Sequence, residues 1–527
     1  MGQDTHATPA FLPVQLQRRI PDDTCAVVCY GARMRMSHAK MYARLLNGDA
    51  TCNGHFFTGV LTTGIYCLPS CKARKPKLEN VRFFPSCEAA RTAGLRACRK
   101  CHPDDFARGF DPVLEDIESL VREVRAQPAT FPDVSAIVRR SGFGATRLFE
   151  LFRQHFHTTP AEVLLKARLE AAKQCLRESG MNATRSSASV SASPLLDVAH
   201  AAGFESVSVF HEHFRRLTGL TPTEYRGLRG RSRFRLQLPD DYPLSYLRRA
   251  LSRDPHSLTE RLDGNAYTTV VALSSGTPAV LRATLVDGEP AVVIDSSAAS
   301  ATATFEVHAV MTGLLGLEQD AGAFTRLARK LGLARLVAGR TGLRICQTPS
   351  VFDGLLWSVI GQQISFPFAC MLKSRLVELT SAPVPGGDGL YAPPTPAAVA
   401  ALDPHALLPL QFSRQKADYL VSLARRITDG QLDLAALKTT SATRVERSLL
   451  EIRGLGPWSV NYVMMRSLGL ADCVPLGDTG VTSGLQALLK LEERPDVDAT
   501  RRLMRVFSPY RSLATTHLWQ FQQPDPA

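Results

Sequence analysis

The sequence predicts a multidomain α+β chain: a small four-cysteine module, a helical module with two helix-turn-helix units, a sheet, and a larger helical module. Three observations lead there. The chain has 527 residues, enough for three or four domains of ordinary size. Eight of its 12 cysteines lie between Cys25 and Cys101, which confines cysteine chemistry to one end. Downstream, the apolar period is helical over 112–232, alternates over 233–310, and is helical again over 311–527. Residues 1–35 show neither pattern and read as an N-terminal tail.

Composition bounds the function before any motif is read. Hydrophobic residues at 45% and charged residues at 21% are those of a globular chain. Lys plus Arg number 62 against 49 Asp plus Glu, and the net charge of +13 points to a polyanionic partner, nucleic acid before membrane. No apolar run reaches the length of a membrane span. Met1 to Ile20 carries Asp4 and has no apolar centre, so it does not read as a secretion signal. A cytoplasmic, nucleoid-associated chain is expected. In that reducing setting, clustered cysteines bind metal or react.

Over residues 36–111, Cys67-x3-Cys71 and Cys98-x2-Cys101 have the spacing of zinc ligands, and two such pairs can close one tetrahedral four-thiolate site. Cys52 and Cys87 have no partner at ligand spacing, and Cys25-x3-Cys29 is only a weak second pair. A zinc ribbon that merely holds a fold would need no more. Yet nine Lys or Arg and only two Glu lie between Cys67 and Cys101. Such a basic field suits a phosphate and favours the nucleophilic thiolate form.

The run Phe57-Thr58-Gly59-Val60-Leu61-Thr62-Thr63-Gly64-Ile65-Tyr66-Cys67-Leu68-Pro69-Ser70-Cys71-Lys72-Ala73-Arg74, continued by Glu79-Asn80-Val81 and Cys98-Arg99-Lys100-Cys101, resembles the N-terminal domain of the Ada-type DNA methyl-repair regulators. The resemblance implies one Zn2+ held by Cys67, Cys71, Cys98 and Cys101. It also implies that Cys67 accepts a methyl group from a DNA methylphosphotriester, with Thr63 and Arg74 near the phosphate. Four thiolates on Zn2+ carry a net charge of −2. Methylating one halves that charge, so DNA affinity should rise, because backbone binding is dominated by electrostatics. The transfer is stoichiometric, since nothing in the motif would remove the methyl group.

Within 112–232, Val134 to Ser141 fits a helix ending at Gly142-Phe143, and Ala145 to Phe156 fits a second helix. The pattern recurs at Leu195 to Ala202, Gly203-Phe204 and Ser206 to Leu217. Each unit can place its second helix in a major groove, although the period alone also suits an ordinary helical bundle. Ala202-Gly203-Phe204, Phe210, Phe214-Arg215-Arg216, Gly219, Pro222 and Tyr225-Arg226 resemble the AraC-type regulator signature. Exposed positions near the recognition-helix starts are Ala145, Thr146 and Arg147, then Ser206, Val207 and Ser208. Arg215, Arg216, Arg226, Arg229, Arg231, Arg233 and Arg235 form a basic flank suited to phosphates. Ser179 to Pro194, with six serines, reads as a flexible insert where that family has a short connection.

In the sheet segment, Thr269 to Leu273, Ala279 to Leu281 and Ala291 to Ile294 read as strands, with turns at Ser275-Gly276 and Asp287-Gly288. In the last segment, Ile452-Arg453-Gly454-Leu455-Gly456-Pro457-Trp458 reads as a helix–hairpin–helix. Glycines there allow close backbone approach, and free amides at a helix start bind phosphate. Asp478, between Gly and Pro residues, reads either as a carboxylate facing a cleft or as a helix N-cap. The hairpin, its spacing to Asp478, and Gly361-Gln362-Gln363-Ile364-Ser365 together resemble the AlkA-type alkyladenine DNA glycosylases, over about 290 residues that include the sheet. The resemblance implies Asp478 as catalytic aspartate, Trp458, Tyr462 and Trp519 as base-pocket aromatics, Gly454 and Gly456 on the DNA backbone, and Gln363 at the DNA wedge.

The chemistry agrees. A target base must leave the duplex to be cut, aromatic faces attract an alkylated, cationic purine, and one carboxylate can stabilise the developing sugar cation. A lysine Schiff-base lyase finds no Lys between Lys438 and Lys490, and an iron–sulfur relative finds no Cys after Cys473. The Pro-Cys-His-Arg acceptor of O6-alkylguanine repair is absent. The expected protein is a DNA-3-methyladenine glycosylase II type hydrolase without lyase activity, joined to a methyl-sensing transcriptional activator. Its expected partners are double-stranded DNA and RNA polymerase. The alternative is a transcription regulator carrying an inactive glycosylase remnant.

Overall fold

Short β-prone runs around the cysteines build the first sheet. The computed structural model describes residues 36–49, 52–107, 111–182, 194–521, 523–524 and 526. The N-terminal tail with Cys25 and Cys29 lies outside the described residues, as does 183–193 of the Ser-rich insert read over Ser179 to Pro194; its first four residues, 179–182, are not loop but the last turn of helix Pro160–Asn182. Strands β1 (Phe57–Val60), β2 (Ile65–Cys67), β3 (Val81–Phe84) and β4 (Arg96–Ala97) pair in the order β3-β1-β2-β4. Gly64, at φ +64°, makes the β1–β2 turn, so that Thr58 faces Cys67. Phe57, Tyr66, Leu68, Phe84 and Leu95 form a small core beside the sulfurs. This module, through Leu120, and the chain from Val121 onward are two compact units.

In the second unit, helix Val134–Ser141 is capped by Asp133, whose carboxylate accepts from Ala136 N at 2.7 Å. Gly142 ends it in the left-handed conformation. Helix Ala145–Phe156 follows, and helices Leu195–Ala201 and Val207–Thr218 repeat the motif. Gly203 turns between the latter two at φ +91°, where a Cβ would lie 2.8 Å from Ala129 Cα. A 23-residue helix, Pro160–Asn182, is missing from the sequence reading and carries the chain from the first pair toward the second.

Strands β5 (Arg233–Gln237), β6 (Glu260–Asp263), β7 (Ala266–Ala272), β8 (Pro278–Leu285) and β9 (Ala291–Ser296) form an antiparallel sheet in the order β5-β9-β8-β7-β6. Its core is continuous with the second helix-turn-helix unit: Phe210, Phe214 and Tyr225 belong to the same cluster as Leu236, Leu281 and Val307. Arg233 and Arg235, read from sequence as part of a phosphate-binding flank, belong to β5 and pair with Asp295 at 3.6 Å and Glu289 at 3.1 Å.

The remaining helices enclose the largest core. Helix Val351–Ile360 is apolar nearly all round, as its central place requires. Helix Thr479–Leu489 packs closely on helix Arg511–Phe521, because Gly484 leaves room for the Leu518 carbonyl. Among the described residues, no helix is long and apolar enough to cross a membrane. The whole is multidomain α+β, as the sequence predicts.

Candidate zinc centre and candidate active site

β2 delivers Cys67 at its last position, a tight turn brings Cys71 back with its N–H on the Leu68 carbonyl, and β4 leads into Cys98 and Cys101. The four sulfurs lie within 4.8 Å of one another. A tetrahedral cage with Zn–S bonds near 2.3 Å has S–S edges of about 3.8 Å, so the donor set fits Zn2+. Backbone N–H groups of Leu68 and Lys100 reach Cys101 Sγ at 3.3 Å and Cys98 Sγ at 3.4 Å. Hydrogen bonds among the thiols hold Cys67 well above the ordinary thiol range and Cys71 down at about 2. Cys67, Cys71 and Cys98 are buried and Cys101 is half-buried. Thr63 and Arg74 are exposed. Cys52 and Cys87 are buried outside the cluster.

The hairpin joins helices Ala442–Leu450 and Pro457–Arg466. Gly454 sits at φ +99°, and a Cβ there would overlap the Tyr419 ring. Glycine is required twice over, by dihedral and by space. Gly456 caps the second helix and faces open space, while Pro457 takes the N1 position. The first N–H groups of that helix have no intrahelical partner and can meet an anion. Gln362 ties the neighbouring loop to this turn, donating from Nε2 to the Gly454 carbonyl at 2.8 Å and to Ser459 Oγ at 2.9 Å. Gln363 is exposed beside it at φ +56°.

Asp478 is the N-cap of helix Thr479–Leu489 and also the meeting point of two indoles. Its Oδ1 accepts from Val481 N at 3.0 Å and from Trp519 Nε1 at 2.8 Å, and its Oδ2 accepts from Trp458 Nε1 at 3.1 Å. Three N–H donors thus fix the plane of one half-buried carboxylate. Tyr462, one helical turn beyond Trp458, stacks on it at 5.4 Å with 19° between the rings. Gly480 admits the Trp519 edge, since a Cβ would lie 2.7 Å from Trp519 Cδ1. The structure therefore brings Asp478, Trp458, Tyr462 and Trp519 together.

Three contributors escaped the sequence reading. Gln362 sits inside the motif that drew attention to Gln363. Asn461 accepts from Val474 N at 3.1 Å and so holds the segment leading to Asp478, and its i+3 spacing from Trp458 could have marked it. Arg253 lies 4.3 Å over the Phe366 ring, and Phe366 stacks on Trp357. No local signal announces a contact between residues so far apart in the chain.

In the helix-turn-helix units, Arg147 pairs with Glu150 at 3.2 Å. Ser206 spends its hydroxyl as a helix cap, accepting from Val209 N at 3.5 Å. Arg215 and Arg216 are exposed on the reading helix.

Comparison with known proteins defines the class. Residues 40–104 match the metal binding domain of Ada, residues 137–227 a helix-turn-helix domain, and residues 356–509 the HhH-GPD superfamily of base excision DNA repair proteins. The chain thus carries an Ada-type zinc-binding domain, a helix-turn-helix DNA-binding domain and a helix–hairpin–helix glycosylase domain, in that order. It is 29% identical over 507 residues, 91% of this chain and 95% of the other, to the probable bifunctional transcriptional activator/DNA repair enzyme AlkA of Mycobacterium tuberculosis. Over 290 residues, 54% of this chain and 95% of the relative, it is 26% identical to a DNA-3-methyladenine glycosylase of Bacillus subtilis. The 3-methyladenine DNA-glycosylase of Archaeoglobus fulgidus superposes with a TM-score of 0.48 at 21% identity, covering 55% of this chain and 98% of that structure.

Proposed function

We propose that the chain excises alkylated purines such as 3-methyladenine from duplex DNA by hydrolysis without lyase activity, and that it senses DNA methylation through its zinc centre to activate transcription. The observation that carries the excision reading is the Asp478 carboxylate, held by Trp458 and Trp519 beside the hairpin. A flipped, cationic purine would lie among Trp458, Tyr462 and Trp519 while Gln363 fills the gap it leaves. The bond from C1′ to the base nitrogen breaks with its electrons leaving on the base, which is thereby neutralised. Asp478 stabilises the sugar cation, and water then adds at C1′ and loses a proton. Gly454 and Gly456 let the hairpin approach the DNA backbone.

In the sensing reaction, Cys67 Sγ forms a bond to the methyl carbon as the methyl–oxygen bond of the phosphotriester breaks, and the electron pair stays on the phosphate oxygen. One Zn2+ per chain, held by Cys67, Cys71, Cys98 and Cys101, supplies the charge that lets four thiolates coexist and keeps the Cys67 sulfur nucleophilic. Thr63 and Arg74 flank the phosphate. Arg147, Ser206, Arg215 and Arg216 contact promoter DNA, and RNA polymerase is the partner recruited there.

The test is incubation of the full chain with methylated duplex DNA, followed by identification of released base and mass analysis of the Cys67 peptide. Free 3-methyladenine and one added methyl at Cys67 are the expected results. No released base would refute the excision reading, and an unmodified Cys67 would refute the sensing reading.

A further inference from the structure

The recognition helix of the first helix-turn-helix unit, Ala145–Phe156, ends against the glycosylase domain. Buried His155, in its last turn, places Nδ1 3.0 Å from Thr443 Oγ1, in the first turn of the first hairpin helix. His157, just past the helix end, adopts the left-handed conformation at φ +54°, and its Nδ1 lies 3.4 Å from Cys473 Sγ.

Cys473 is fully buried and stands five residues before Asp478. Its surroundings form the root of the segment that presents the carboxylate. Asp472 accepts from Arg511 Nε at 2.7 Å, Arg511 Nη2 at 2.9 Å and Ser508 Oγ at 2.8 Å. Cys473 N donates to Ser512 Oγ at 2.9 Å, and Val474 N donates to Asn461 Oδ1 at 3.1 Å. The root is therefore held from three sides: by the helix that carries Trp519, by the helix that carries Trp458, and by His157. Burial pushes the Cys473 thiol up and the His157 ring down to about 4. At neutral pH a protonated thiol thus faces a neutral imidazole, and with the ring proton on Nε2 the Sγ–H can donate to Nδ1.

We propose that His157 is a positioning residue for base excision: from the DNA-reading module it fixes the root of the Asp478 segment, so that the helix-turn-helix module is a working part of the glycosylase. This rests on the excision reading above. The contact uses the C-terminal end of the recognition helix and leaves Ala145 and Thr146, at its other end, exposed to DNA. A small shift at the root matters because misplacing a reacting group by about 1 Å can cost on the order of 10²-fold in rate.

The test uses the full chain and two variants chosen for the left-handed backbone. His157→Gly keeps that conformation without strain and removes the imidazole. His157→Asn also tolerates it and offers an amide oxygen to the thiol. Single-turnover excision on saturating methylated duplex should fall about tenfold in His157→Gly and recover substantially in His157→Asn, with duplex Kd and zinc content unchanged. Amide hydrogen exchange over 473–478 should quicken in His157→Gly alone. Wild-type excision by His157→Gly, or a loss matching only its unfolded fraction, would overturn the proposal while leaving the excision reading intact. If the wild-type chain released no base, the excision reading would fail by itself. The exchange measurement would then decide the contact: unchanged exchange over 473–478 overturns it.

Discussion

Replacing Asp478 by asparagine separates charge from shape, and the structure sets the size of each effect. Oδ1 receives two donors, Val481 N and Trp519 Nε1, whereas Oδ2 receives one, Trp458 Nε1 at 3.1 Å. The asparagine oxygen should keep the two-donor side, because asparagine caps a helix about as well as aspartate. Its NH2 group then faces the Trp458 N–H, donor against donor. Losing that charge-assisted hydrogen bond should cost about 1.5–3 kcal/mol of stability. Losing the negative charge beside the sugar cation should cost about 3–4 kcal/mol of transition-state stabilisation, or roughly 10²–10³ in rate. Adding Trp458→Phe removes the opposed donor and should restore roughly 1–2 kcal/mol of stability without restoring excision. Single-turnover base release and urea unfolding of the two variants and the wild type read these terms independently. Excision by Asp478→Asn within about tenfold of wild type would show that another group carries the chemistry. Recovery of excision in the double variant would show that the loss was structural.

Two further perturbations address the zinc centre and the hairpin. Cys101→Ala should lower zinc from one per chain to near none and loosen the 57–104 module, read by metal analysis and amide exchange; full zinc retention would contradict the four-sulfur site. Gly454→Ala forces a Cβ into the Tyr419 ring at φ +99° and should cost about 1–3 kcal/mol with a matching loss of duplex affinity. An alanine variant with wild-type unfolding and binding would refute that account of the turn.

Ligand spacing, helix caps and periodicity are local, and the sequence by itself determined what depends on them. Cys67-x3-Cys71 and Cys98-x2-Cys101 announce a four-sulfur cluster because each short pair can span one edge of a tetrahedron. Helices Val134–Ser141 and Ala145–Phe156 begin and end where the apolar spacing and Gly142 place them. The hairpin at Gly454 was legible because a left-handed turn before a proline-started helix leaves its mark in consecutive residues. Asp478 admitted two sequence readings, and the fold makes it a helix cap while also setting it between two indoles. Those indoles stand 20 and 41 residues away in the chain; the family resemblance groups them with the aspartate, but the hydrogen bonds from both indoles to its carboxylate come from the fold alone. The same holds for Arg253 over Phe366, for the core shared by the second helix-turn-helix unit and the sheet, and for His157 against Cys473. Only tertiary structure decides such contacts, because they depend on how whole helix faces pack, and packing is a property of volumes and shapes that distant segments acquire together.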